Sequence, residues 1–227
     1  MPSRMYRDKF GDRETCAVRG GRFYNGRMDI VNSIAVAAGL AWASGLRLYA
    51  VLFLAGLLGR LGYVTLPEAL TVLQHPAVIG AAGLMFFVEF FADKIPALDS
   101  VWDGIHTFIR IPAGALLAAY SLAGQDPAIM LAAGILGGTL AAGTHLTKAG
   151  SRAVINASPE PFSNIAASFT EEAMVFGGLF AAFQHPWVFL VLLGIFVVLM
   201  LWLLPRLWRG VRAMFRRLGS GSTAAPS

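Results

Sequence analysis

Residues 87–110 read FVEFFADKIPALDSVWDGIHTFIR, and how this stretch is read decides what kind of protein the chain is. Glu89, Asp93, Lys94, Asp99, Asp103, His106 and Arg110 crowd into it, while the sequence on either side is almost wholly apolar. A soluble core leaves such residues out unless they are paired, and a lipid-facing helix excludes them outright. Both conditions are met if the stretch lies inside a bundle of membrane helices, turned toward other polar groups or water. The sequence therefore predicts a multi-span membrane protein with a charged interior.

Composition leads to the same class. Of the 227 residues, 56% are hydrophobic and only 14% charged, the balance of a helical integral membrane protein. The net charge of +5 sits at the ends. Residues 1–29 hold seven Arg/Lys against four Asp/Glu, residues 30–205 hold six against nine, and Arg206, Arg209, Arg212, Arg216 and Arg217 follow. Basic ends beside apolar helices mark the cytoplasmic face, so both termini are expected there, with an even number of spans. The same reasoning favours a membrane surface over nucleic acid as the partner of the arginine tail. The single Cys16 rules out an intrachain disulfide and has no ligand-spaced partner for zinc.

Taken in order, residues 1–27 are Arg- and Gly-rich without apolar periodicity and read as a disordered basic extension. Met28 stands immediately before the first apolar run and offers itself as an alternative start. Ala41-Trp42-Ala43 fits a signal cleavage site, but the run continues to Leu58, well beyond a signal's length, so a retained span is expected. The transmembrane domain is placed at 28–205, and 206–227 at a basic interfacial helix with a disordered tail.

Six spans are expected, at about 30–59, 77–91, 97–122, 128–154, 162–183 and 187–204. The first would be about 45 Å long as one helix, against a hydrocarbon core of roughly 30 Å. Ser44-Gly45-Leu46-Arg47 interrupts it, and a break there would turn Arg47 inward. Pro76 opens the second span, whose end carries Glu89 and Asp93 on one face. In the third, Asp99, Asp103, His106 and Arg110 fall within an arc of about 60°, and Pro112 with Gly114 should kink the helix beyond them. The fourth bears His145, Lys148, Arg152 and Asn156 in one stripe. Ser158-Pro159-Glu160-Pro161 reads as a loop, and the fifth span opens with Asn164, Ser168 and Glu171 on one face beside Glu172. The sixth is uniformly apolar, the one plain lipid-facing helix, with Trp202 and Trp208 at headgroup level. His75 and His185 precede prolines and read as helix caps. Ala37-Ala38-Gly39 with Gly45-x-Arg47 matches Ala141-Ala142-Gly143 with Gly150-x-Arg152, which would make the bundle two inverted three-helix repeats. Gln74-His75-Pro76 and Gln184-His185-Pro186 fit that scheme poorly, so the repeat stays open.

Four motifs stand in one order: Glu89-Phe-Phe-Ala-Asp93-Lys94-Ile-Pro96-x-x-Asp99, Thr107-Phe-Ile-Arg110, Pro112-Ala-Gly114 and His145-Leu-Thr-Lys148-Ala-Gly150-Ser-Arg152. In these the chain resembles a bacterial family of small membrane proteins known as domain of unknown function 4126. Asn164, Ser168 and Glu171-Glu172 extend the resemblance, over about residues 29–217 in all. Two departures are local: Ile111 separates Arg110 from Pro112, and Asn164 is not followed by Pro. The resemblance implies a membrane location and brings no activity.

Chemically, the expected site comprises Glu89, Asp93, Lys94, Asp99, Asp103, His106, Arg110, His145, Lys148, Arg152, Asn164 and Glu171. Charges at the bilayer centre cost about 2.5–3.5 kcal/mol each on insertion scales, so the stripes must face one another or water. One reading is transport or binding of a small polar or anionic solute, or a lipid headgroup, with His106 and an adjacent Asp coupling protons. The other is a non-catalytic scaffold whose ion pairs fix helix register. A lipid-modifying enzyme is the third: Asp99-x-x-x-Asp103-Gly104 is similar to the metal-holding helix of lipid phosphotransferases, but the spacing is one residue too long and no acid pair follows. Asp99, Asp103 and His106 share a face suited to a metal, with Lys94 and Arg110 opposing one. No enzyme activity, metal or cofactor is assigned. Membrane lipid is the expected partner, a bacterial inner membrane the expected location, and a homo-oligomer is left open.

Overall fold

The computed structural model describes residues 30–156 and 161–220, all of it helix, turn or short connection, with no strand among the described residues. The long helices are α1 (Ile30–Arg60), α2 (Pro76–Ala92), α3 (Pro96–Ser121), α4 (Pro127–Asn156), α5 (Pro161–Gln184) and α6 (Pro186–Ser220). A short 3-10 helix, Glu68–Gln74, precedes α2. The expected extension at 1–27, Cys16, the alternative start at Met28, most of the loop at 158–161 and the tail beyond Ser220 lie outside the described residues.

Proline sets the punctuation. Each of α2 to α6 opens on one (Pro76, Pro96, Pro127, Pro161, Pro186), where the missing N–H is among those left unbonded anyway. At α2 the His75 Nδ1 accepts the Ala77 N–H at 3.2 Å, the cap expected from sequence. His185 instead lies edge-on to the Phe180 ring.

Among the described residues, four helices are long and apolar enough to cross a membrane: α1, α4, most of α5 and the first part of α6. The 3-10 helix and α2, bent by 69° at His75, make a fifth if they are one broken span. The sequence anticipated only a connection at 60–76. The 3-10 helix arises there because Leu70 and Leu73 bury themselves against the end of α1.

Helix α1 is the axis, packing against all five other long helices, with most of its length buried. Its backbone leaves the helical region at Arg47 (φ −147°, ψ 86°), the break that Ser44-Gly45-Leu46-Arg47 foretold. Helices α3 and α4 run antiparallel alongside it. Asp99 lies beside Asn156, Asp103 beside Lys148, Thr107 beside His145, Gly114 against Ala141 and Ala118 against Gly137. The polar contacts sit toward the α2–α3 connection and the apolar ones away from it, so the bundle has a charged half and an apolar half.

α3 continues through Pro112 to Ser121 as one helix. One expectation needs correction: α6 continues through Pro205 to Ser220, rather than ending at Leu204 before a separate interfacial helix. Around Pro205 arginine side chains supply bonds to main-chain carbonyls: Arg206 Nη1 donates to Trp202 O at 2.6 Å and Arg209 Nε to Pro205 O at 3.2 Å.

Candidate functional site

Five elements send charged side chains to one place. Arg47 comes from the break in α1, Glu89 and Asp93 from the end of α2, and Asp99, Asp103 and Arg110 from α3. Lys148 and Arg152 come from α4, and Asn164, Ser168 and Glu171 from α5. Arg47, Glu89, Asp93, Asp99 and Arg110 have no exposed surface at all, which decides that these are interior charges and not a solvated face.

Their pairing is specific. Arg110 Nη2 donates to Glu89 Oε1 at 2.6 Å and Nη1 to Asp103 Oδ1 at 2.7 Å, joining α2 to α3. Lys148 Nζ reaches Asp93 Oδ2 at 3.0 Å, the Asp103 and Glu171 carboxylates at 3.4 Å, and Leu46 O at 3.3 Å, the carbonyl next to the break in α1. Arg152 grips Glu171 with two parallel bonds, Nε to Oε1 at 2.8 Å and Nη2 to Oε2 at 3.0 Å. Its Nη1 donates to Asp93 O, Asn164 O and Asn164 Oδ1. Arg47 Nη2 donates to Asp93 Oδ2 and to Ser168 Oγ, each at 2.8 Å. Coulomb attraction at such distances is large inside a low-dielectric bundle, but it mainly repays the desolvation of the same groups.

The histidines are fixed by donor logic. A guanidinium can only donate, so His145 Nδ1 accepts from Arg110 Nη1 at 3.1 Å. The imidazole proton is then on Nε2, facing Thr107 Oγ1 at 2.7 Å, and the Thr107 hydroxyl donates on to Asp103 O at 2.9 Å. His106 Nδ1 donates to Trp102 O at 2.8 Å, which leaves Nε2 to accept from the Tyr49 hydroxyl at 3.2 Å. Its ring stacks on Trp102 with centroids 4.1 Å apart. Both His106 ring nitrogens are thus engaged, by the i−4 carbonyl and by Tyr49, and among the described residues no hydrogen bond joins the ring to an Asp.

Of the twelve residues expected at the site, eleven are buried together. Lys94 stays at the rim, its Nζ 3.0 Å from the centroid of the Phe90 ring and 3.6 Å from Glu172. The metal-like trio is also reassigned. Asp93, Asp99 and Asp103 are the residues that each offer an oxygen within 4.8 Å of the others, and His106 is not among them. Sequence reasoning turned Arg47 inward but did not count it in the site; its isolation in an apolar run was the signal. Tyr49 gave none, since a single hydroxyl on an apolar helix is ordinary, and Thr107 stood out only as the first residue of the Thr107-Phe-Ile-Arg110 motif.

Several buried polar atoms have no hydrogen-bond partner among the described residues: Arg47 Nε and Nη1, Glu89 Oε2, Asp93 Oδ1, Asp99 Oδ1, Asp103 Oδ2 and Arg110 Nε. Buried polar groups are nearly always bonded, so such a concentration in one place calls for an explanation.

No curated protein and no solved structure matches the chain. Residues 34–206 match the family model described as "Domain of unknown function (DUF4126)", and they contain every residue of the site just described. The stripes of α2 to α5 that carried the resemblance at the level of sequence are thus the walls of one buried charged cluster, and the chain belongs to that family.

Proposed function

We propose that the protein binds a small polar solute in the charged half of the bundle and moves it across the membrane. In this reading all six long helices traverse the bilayer, α3 included, its charges hidden against α2, α4 and α5. The alternating helices return both described ends to one side, and the arginines of α6 assign that side to the cytoplasm of a bacterial inner membrane. An inverted repeat gains support from Arg47 and Arg152, the two matching arginines, which enter one network through Asp93 and Glu171.

The observation that carries the proposal is the set of unpartnered buried atoms on Glu89, Asp93, Asp99, Asp103, Arg47 and Arg110. A network built only to hold helices together would be expected to saturate itself. Helix breaks lined by charge are also where solute sites of transporters lie. The cations are already held by carboxylates, which favours a neutral, zwitterionic or cationic solute over the anion that Lys148, Arg152 and Arg110 suggested from sequence. Two of the three carboxylates best placed for metal-assisted chemistry, Asp93 and Asp103, contact Arg47, Lys148 or Arg110, so we read the site as non-catalytic.

The test is thermal unfolding of the detergent-purified chain with phosphate, acetate, choline, betaine and small neutral polyols. A ligand at about 100 times its Kd adds roughly 2.7 kcal/mol, a plain shift of the midpoint. One class should raise the midpoint of the wild type and fail to raise that of Asp103→Asn. The second reading, a scaffold with a static network, is favoured by the dense pairing of Arg110, Lys148 and Arg152. It predicts no shift from any solute and a lower midpoint for Asp103→Asn.

A further inference from the structure

The charge inventory of the network does not close. Glu89, Asp93, Asp99, Asp103, Glu171 and Glu172 are six carboxylates, and Arg47, Lys94, Arg110, Lys148 and Arg152 are five cations. Each of the other five carboxylates lies within 4 Å of a cation, while among the described residues no ion pair reaches Asp99. Asp99 is nevertheless fully buried, and its one hydrogen bond among the described residues comes from the neutral Asn156 amide, to Oδ2 at 2.9 Å. An isolated buried carboxylate is among the costliest groups a membrane bundle could contain, and it is ordinarily neutralised.

The local geometry says by what. Asp93 commits Oδ2 to Arg47 and Lys148, and Asp103 commits Oδ1 to Arg110 and Lys148. Each of these two, and Asp99, keeps one buried oxygen without a hydrogen-bond partner among the described residues. The three carboxyl groups lie close enough to offer oxygens within 4.8 Å of one another. Carboxylates this close cannot all stay ionised, and a proton on one of them removes the single excess charge. A divalent metal would overshoot that balance, with Arg47 and Lys148 already in contact with the Asp93 carboxylate. An alkali ion needs a fuller shell of oxygens than these three supply.

We propose that Asp99, facing Asp93 and Asp103, carries one exchangeable proton and is the proton-coupling group of the solute site. The proposal rests on the reading of the network given under Proposed function. The groups that bear on it come from every neighbouring element: Arg47 from α1, Asp93 and Lys94 from the α2–α3 turn, and Asp103, His106 and Arg110 from α3 itself. Lys148, Arg152 and Asn156 from α4 complete the set with Asn164, Glu171 and Glu172 from α5. The cations are held by the other carboxylates, which leaves Asp99 as the group able to gain and lose a proton without breaking an ion pair.

Infrared spectroscopy of the full chain in lipid reads the proton directly, through the C=O stretch of a buried carboxylic acid. The wild type should show one such band that disappears as pH rises. Asp99→Asn should lack it, and Asp99→Glu should restore it at a shifted position, which separates loss of the proton from failure to fold. The thermal panel supplies the second readout. The apparent affinity for whichever of phosphate, acetate, choline, betaine or polyol binds should change about tenfold per pH unit in the wild type and be flat in Asp99→Asn. A band unaltered in Asp99→Asn, or no band at any pH, overturns the proton assignment and leaves the solute site standing if the thermal shift persists. A band that Asp99→Asn removes, with no member of the panel shifting the wild type, overturns the coupling role together with the solute reading. Sodium-dependent stabilisation without the band would replace the proton by an alkali cation.

Discussion

Helices α1, α3 and α4 meet twice, and the two meetings are built from opposite materials. In the apolar half the contact is made by Ala41, Ser44 and Gly45 of α1, Gly114 and Ala118 of α3, and Gly137 and Ala141 of α4. A methyl group added at Gly137 would collide with the Ala118 side chain, and one at Gly45 with the Ala141 carbonyl. Backbones approach here because nothing lies between them, and dispersion across small residues holds membrane helices where the hydrophobic effect no longer discriminates. In the charged half the same three helices are joined through Arg47, Asp103, Arg110, His145 and Lys148, with α2 and α5 contributing Glu89, Asp93 and Glu171. Close packing is the cheaper joint in lipid and carries no uncompensated group. The charged joint is the costlier of the two, and its unpartnered carboxylate oxygens are what the proposed solute site rests on.

The contrast can be broken from either side. The largest effect is expected from Arg110→Ala, which leaves Glu89 and Asp103 buried without their guanidinium. Removing one partner of a buried ion pair costs about 3–5 kcal/mol, to be read as loss of stability in detergent. If the variant melts with the wild type, Arg110 is not the link between α2 and α3 described above. Gly137→Val strikes the apolar half, and overpacking of this kind costs about 1–3 kcal/mol. Any solute response of the kind proposed for the charged half should survive, and its loss would mean that the two joints are one cooperative unit. The smallest effect belongs to Arg206→Ala, whose guanidinium lies over the exposed Trp202 ring at 3.5 Å from the centroid, outside both joints. Its midpoint should stay within about 0.5 kcal/mol of wild type in equivalent stability.

The legibility of these regions in the sequence differs for a physical reason. Charges in apolar surroundings are conspicuous because lipid forbids them, so the stripes of Asp99, Asp103 and Arg110, of Lys148 and Arg152, and of Asn164 and Glu171 could be found by spacing alone. Their partners could not. Periodicity fixes the face of a helix but not its neighbour, and so it put His106 in the stripe of Asp99, Asp103 and Arg110 without showing that Tyr49 and the Trp102 carbonyl hold the ring. The small-residue joint was less visible still, since Ala and Gly are common throughout the chain and only the approach of α3 to α4 marks out Gly137 from Gly134 or Gly194.

By itself the sequence determined an all-helical chain with membrane-spanning segments, the break at Arg47, the proline-marked helix starts, and most of the residues of the buried cluster. Those features follow from local rules: what proline does to a helix, and what a charge costs in hydrocarbon. The tertiary structure alone decided that the first apolar run is the central helix while the last, more apolar still, is peripheral. It also decided which cation neutralises which carboxylate. A one-dimensional charge count balances or fails only in total, whereas burial demands that each carboxylate be compensated where it lies, and that requirement singles out Asp99.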